Sequence, residues 1–152
     1  MRDMPEARND APEIVTVRLP SRLDLLSVID RVAQSVCEHL GFDEDTASQI
    51  TMSVIEAGTN AIQHGHRRDP QKIVDVNFVT YPDRLQIDVF DQGPGFDLEG
   101  VNGDVTSPEH LLDLRGRGIF IMRKCMDSVE FEFTGTGTVC HLVKHRPGPN
   151  GA

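Results

Sequence analysis

The sequence predicts an α+β fold: a two-layer sandwich with helices packed on one face of a mixed, mostly antiparallel sheet. Period-two alternation of apolar residues marks five short segments, and stripes of helical period occupy three others. In chain order these read strand, two helices, two strands, loop, helix, two strands. Strands joined by hairpins, with helices grouped between them, place the helices together on one sheet face. A doubly wound parallel sheet requires a regular strand–helix alternation that is absent.

Residues 1–12 are polar and aperiodic and are expected to form a tail. From Ile14 to Leu19 apolar residues alternate, giving the first strand. Ser21 stands where a helix N-cap is needed, with Asp24 in capping-box position. Leu25, Val28, Ile29, Val32, Val36 and Leu40 then follow a helical stripe that Gly41 terminates. Asp43 caps a second helix, whose first turn carries Glu44 and Asp45 at the positive end of its dipole. In that helix Ile50, Val54, Ala57 and Ala61 mark a buried face. Ser53, Glu56, Asn60 and His64 form a polar stripe beside it, and Gly65 is the expected stop.

From Ile73 the period changes to two. Ile73 to Thr80 and Leu85 to Phe90 are strands joined by a turn at Tyr81-Pro82-Asp83-Arg84. Residues 97–115 show little periodicity, and a loop of this length inside a compact domain is commonly functional, often a lid. A short helix is expected over Gly118 to Met126. Strands Ser128 to Thr134 and Thr138 to Lys144 follow, meeting at Gly135-Thr136-Gly137. Residues 147–152 read as a second tail, so that 13–146 form one domain.

A chain of 152 residues, 38% hydrophobic and 26% charged, has the composition of a soluble globular domain with a proper core. Its formal net charge of -9, with no basic run, argues against direct nucleic-acid binding. No apolar run approaches the ~20 residues of a membrane span, and Met1-Arg2-Asp3-Met4-Pro5-Glu6 lacks the apolar region of a secretory signal. Cys37, Cys125 and Cys140 are scattered and suggest neither a zinc site nor a disulfide framework. A cytoplasmic protein is expected.

Three segments carry chemistry. Glu56 and Asn60, at positions i and i+4, share a helix face. Such a pair usually decorates a solvated surface, but it also suits a metal–phosphate site. One amide oxygen suffices for Mg²⁺, which retains waters and phosphate oxygens; the carboxylate is then available as a base. Asp91-Gln92-Gly93-Pro94-Gly95 sits at a strand end. A turn alone explains the glycines, but a carboxylate there also accepts a hydrogen bond from an exocyclic amine such as that of adenine. Gly93 and Gly95 permit backbone approach to a flat base. The third glycine of a dinucleotide fingerprint is replaced by Leu98, and no P-loop motif exists. Arg115-Gly116-Arg117-Gly118 leads from the long loop into a helix, where exposed N–H groups and the helix dipole favour phosphate; Arg115, Arg117 and Lys124 add charge. Thr138 is either an ordinary strand residue or a hydroxyl donor near the phosphates. His64 and His66 read as a helix C-terminal cap rather than metal ligands.

Taken in this order, the three segments resemble the ATP-binding domain shared by histidine kinases, gyrase B and MutL. Glu56-x-x-x-Asn60 is similar to its N-box, Asp91-x-Gly93-x-Gly95 to its first glycine box, and Gly116-x-Gly118 to its second. Asn-Ala-Ile-x-His-Gly, the Gly-x-Gly-Ile-x-Ile-Met helix start and the closing Gly-Thr-Val hairpin look most like the anti-sigma factor serine/threonine kinases. The resemblance covers about Ile14 to Lys144. It implies a fold of the histidine-kinase-like ATPase type and an ATP–Mg²⁺ site. In that site Asp91 lies on adenine, Asn60 on Mg²⁺, and Glu56 acts as catalytic base, with the glycines shaping the pocket. It further implies a homodimer that sequesters a sigma factor and phosphorylates an anti-anti-sigma (STAS) protein. The alternative is a non-catalytic module that binds ATP and sequesters a protein partner in a nucleotide-dependent way.

Overall fold

The computed structural model describes residues 11–96, 98 and 114–148. The tails expected at 1–12 and 147–152 fall mainly outside these residues, as does the lid expected at 97–115.

Five strands form one sheet in the order β1-β2-β3-β5-β4: β1 (Glu13–Pro20), β2 (Ile73–Thr80), β3 (Arg84–Asp91), β4 (Ser128–Thr134) and β5 (Gly137–His145). Among the described residues every pairing is antiparallel, so the mixed sheet anticipated from sequence narrows there to an antiparallel one. Period two puts Val74, Val76 and Phe78 of β2, Leu85, Ile87 and Val89 of β3, and Cys140 and Leu142 of β5 on one buried face. The register stacks Phe78 beside Ile87 and Ile87 beside Leu142.

Three helices cover that face: α1 (Leu26–Leu40), α2 (Glu44–Thr59) and α3 (Leu114–Cys125). Helix α2 is central and packs against both others. Asp43 caps it as expected, accepting from the Thr46 N–H at 2.7 Å. Ser21 does not cap α1. A single 3₁₀ turn, Leu23–Leu25, intervenes, and Asp24 pairs instead with Arg22 at 2.6 Å. The line of α1 that is fully buried is Ile29–Ala33–Cys37, whereas Val28 remains 40% exposed. Small residues there let α1 lie close to α2, which hydrophobicity counting alone does not reveal.

Two departures from the expected elements position the site. Helix α2 does not run unchanged to Gly65; from Asn60 to Gly65 it widens into a π-helical turn, closed by the His66 N–H donating to the Ala61 carbonyl at 2.8 Å. Arg67 and Arg68 then take left-handed conformations, with φ of 50° and 60°. The last helix is already formed at Leu114, ahead of the expected Gly118, so the second glycine box lies inside it. Its far end is tied to the sheet by Lys144, whose Nζ donates to the Cys125 carbonyl at 2.6 Å.

Candidate functional site

The end of α2, the end of β3, the start of β5 and the start of α3 converge at one edge of the sandwich. They bring together residues that the sequence separates by some eighty positions, roughly half the chain.

Glu56 and Asn60 share one face, as their spacing predicts. Together with Thr59, Gln63, His64, Arg117, Gly118 and Ile121 they line a pocket of about 240 Å³. Glu56 is half-buried, and burial pushes its carboxyl above the ordinary value, with Arg117 pulling it partly back. Asn60 is only 8% exposed, and its amide Nδ2 is buried with no hydrogen-bond partner. An unpaired buried amide costs about 1–3 kcal/mol, so the pocket is short of one polar group that a ligand can supply. The two ends of an asparagine amide can be exchanged by a flip, and the oxygen end is a neutral ligand for a cation. A neutral oxygen donor beside a carboxylate suits Mg²⁺, which needs few protein ligands.

Helix α3 presses onto this pair through Gly118. A methyl group at that position would stand 2.7 Å from Glu56 Oε2 and 3.6 Å from Asn60 Oδ1. Gly116 is buried as well. Arg117 faces Glu56, while Arg115 lies over the Phe96 ring at 4.2 Å, in a cluster with Phe131 and Phe133. Lys124 is two turns further along, above Phe120 at 5.4 Å, and stands apart from the glycine box.

The second wall is built around Asp91. Its Oδ1 accepts the Gly93 N–H at 2.8 Å, which closes the turn. Burial raises the Asp91 carboxyl; the Gly93 N–H, His66, Arg115 and the Thr138 backbone act in the opposite direction. Gly65 packs directly on this carboxyl, since a Cβ there would lie 2.9 Å from Asp91 Cγ. Gly93 in turn lies against the Gly65 backbone, and a Cβ would come 2.6 Å from the Gly65 Cα. Gly95 has φ +82° and abuts Phe133. Thr138 is buried and pairs with Asp91 across the β3–β5 ladder.

All ten site residues expected from sequence thus lie along this edge, in two groups. Asp91, Gly93, Gly95, Arg115 and Thr138 gather at one end. Glu56, Asn60, Gly116, Arg117 and Gly118 gather at the other. Thr59 and Gln63 join the pocket without a sequence signal, and His64 joins it from the polar stripe it shares with Glu56 and Asn60. His66, read as a helix C-terminal cap, is 2% exposed and hydrogen-bonded on both ring nitrogens, to Ser21 and to the Gln92 backbone. The thiols of Cys37 and Cys140 are pushed up by burial to about 11 and about 12, which suits core positions. Among the described residues no helix is long and apolar enough to cross a membrane. None of their His, Cys, Asp and Glu side chains gather in threes as a metal cage would require.

Comparison with known proteins identifies the family of the domain. The histidine kinase-like ATPase domain matches residues 19–144. The serine-protein kinase RsbW of Bacillus licheniformis is 30% identical over 85% of this chain and 84% of its own length. The protein of the same name from Bacillus subtilis is 27% identical over 93% and 90%. Among solved structures, the RsbU and RsbW domains of a Mycobacterium tuberculosis protein superpose with a TM-score of 0.58. The match covers 90% of this chain and 34% of that longer one at 14% identity, a likeness of fold.

Proposed function

The chain belongs to the histidine kinase-like ATPase domain family, within its anti-sigma factor serine kinase branch, and from that premise we propose that it is an ATP-dependent protein serine/threonine kinase. Its substrate is an anti-anti-sigma (STAS) protein, its sequestered partner a sigma factor, and its working form a cytoplasmic homodimer. The observation that carries the catalytic part is the unpartnered, buried Asn60 amide beside the half-buried Glu56 in one pocket.

In this reading Asp91 accepts a hydrogen bond from the adenine amine, which fixes the nucleotide at the sheet end of the site. Gly93 and Gly95 leave room for the base. The first turn of α3, with Arg115, Gly116, Arg117 and Gly118, receives the phosphates at the positive end of its dipole. The Asn60 amide oxygen would hold Mg²⁺, which would offset phosphate charge. Glu56 takes the proton from the acceptor hydroxyl as that oxygen bonds to the γ-phosphorus. The bond from phosphorus to the β–γ bridging oxygen breaks, and ADP leaves. Little covalent work falls to the protein, so positioning and charge stabilisation do most of it. The burial that raises the Glu56 carboxyl makes it a stronger base, and Thr138 supplies a buried hydroxyl beside Asp91.

The reading is tested by capturing partners from the source organism's lysate with and without ATP, then assaying transfer from γ-labelled ATP. Recovery of a sigma factor and a STAS protein, with label on a serine or threonine of the latter, is expected. Partner capture that depends on nucleotide yet yields no label identifies the non-catalytic sequestering module instead.

A further inference from the structure

Behind the Asp91 turn lies a buried imidazole that the phosphotransfer chemistry does not use. His66 follows the π-helical turn directly. Its Nδ1 is 2.8 Å from Ser21 Oγ, and its Nε2 is 2.7 Å from the backbone nitrogen of Gln92. A backbone N–H only donates, so Nε2 must be the lone-pair nitrogen. The ring therefore carries its proton on Nδ1 and donates it to the Ser21 hydroxyl. Ser21 is itself 1% exposed, and its N–H donates to the Lys72 carbonyl at 2.9 Å. Gln92 is the residue between Asp91 and Gly93, and its side-chain Oε1 accepts from the Ile73 N–H at 3.2 Å.

We propose that His66, neutral and in the Nδ1–H tautomer, is the positioning residue that holds the Asp91–Gly93 turn in its adenine-reading shape, so that nucleotide affinity follows its protonation state. This role rests on the ATP reading above. Among the described residues, the other fixings of the turn are the Gln92 Oε1 bond to the Ile73 N–H, the Gly93 N–H bond to Asp91 and the packing of Gly93 on the Gly65 backbone. Gly93 and Gly95 give it backbone freedom, and the Gly93 N–H is already committed to Asp91 Oδ1. The Gln92 N–H points away from the base site into the ring. Protonation of Nε2 would set one N–H against another at 2.7 Å, and the turn has to move to separate them. Because Gly65 touches the Asp91 carboxyl and precedes His66, that movement is passed to the group that reads the base.

The charged groups around the ring oppose one another. Burial lowers the imidazole from its ordinary value, and Lys72 on the strand-side turn does the same, while Asp91 on β3 and Asp69 in that turn raise it. Burial prevails, so the ring stays neutral at neutral pH and charges only on acidification.

The test uses the full-length chain and two readouts. Nitrogen-15 NMR of the wild-type imidazoles should find His66 protonated at Nδ1 and unprotonated at Nε2. Calorimetric titration with ATP and Mg²⁺ between about pH 5.5 and pH 8 should show wild-type affinity falling on the acid side. His66→Phe, which fills the space without an acceptor, should bind roughly tenfold more weakly at the alkaline end. It should also lose the imidazole limb of the profile. His66→Gln, whose side-chain oxygen can accept from the Gln92 N–H, should recover most of the affinity without recovering that limb. An Nε2–H tautomer, or a His66→Phe variant with wild-type affinity and pH profile, overturns the assignment. Should the wild-type chain bind no ATP, the kinase reading falls and takes this role with it. ATP binding that ignores His66 sinks this role alone.

Discussion

Asp91 shows how one residue can be poorly suited to the fold and well suited to a ligand. Its carboxyl is raised by burial, which means the folded protein disfavours its charge. Replacing it with asparagine keeps an Oδ1 to accept the Gly93 N–H and removes that charge. Asp91→Asn is therefore expected to melt no lower than wild type at neutral pH, yet to bind ATP at least tenfold more weakly. Scanning fluorimetry and calorimetry check the two halves separately; an unchanged affinity removes Asp91 from base recognition. The shared helix face of Glu56 and Asn60 and the strand-end place of Asp91 were legible from spacing and residue type, whereas the roles proposed for them come from the family resemblance. The role of His66 left no local imprint. Its partners lie 45 and 26 positions away, and only the folded chain brings them together.

At the scale of elements, the strands follow from periodicity, α1 from its apolar stripe although Ser21 does not cap it, and α2 from its stripe and the Asp43 cap, whereas the two elements that shape the site do not follow. A π-helical turn has the same composition as the helix it interrupts, so nothing in Asn60–Gly65 announces it. The start of α3 was misplaced because glycines disfavour helix interiors; here they are kept for close approach. Gly118→Ala should leave the fold intact, since the atom it meets, Glu56 Oε2 at 2.7 Å, is the mobile end of a side chain. The displaced carboxylate should then lower the phosphotransfer rate roughly tenfold while ATP affinity changes little, as a loss of base geometry requires. Equal loss of affinity and rate contradicts this. The open face of the sheet makes a different prediction. His141 on β5 is bracketed by Asp88 Oδ1 at 2.6 Å and Glu132 Oε2 at 3.0 Å. Burial disfavours its charge, but these two carboxylates outweigh it and raise the imidazole above 6.5. A raised folded-state value contributes stability that is complete below 6.5 and is lost as pH climbs through the folded value. The wild-type melting temperature should thus decline across that window, and His141→Gln should flatten the decline. A parallel decline in the variant contradicts the assignment.

For the whole molecule, the net charge of -9 and the nucleotide site are compatible because the site's positive character is local. It comes from the first turn of α3 and from Arg115 and Arg117. The fold places that turn opposite the end of α2 and beside the end of β3, so Glu56 and Asn60 line one pocket and Asp91 stands at the other end of the same edge. The family relationship names the chemistry such a site performs elsewhere, and the half-buried Glu56 is where this chain either performs it or does not. The most direct measurement is single-turnover transfer from γ-labelled ATP–Mg²⁺ to the STAS partner, comparing wild type with Glu56→Ala, alongside ATP affinity for both. Transfer abolished in Glu56→Ala, with affinity retained within a few-fold, is the predicted result. A Glu56→Ala variant that transfers phosphate at the wild-type rate contradicts the account.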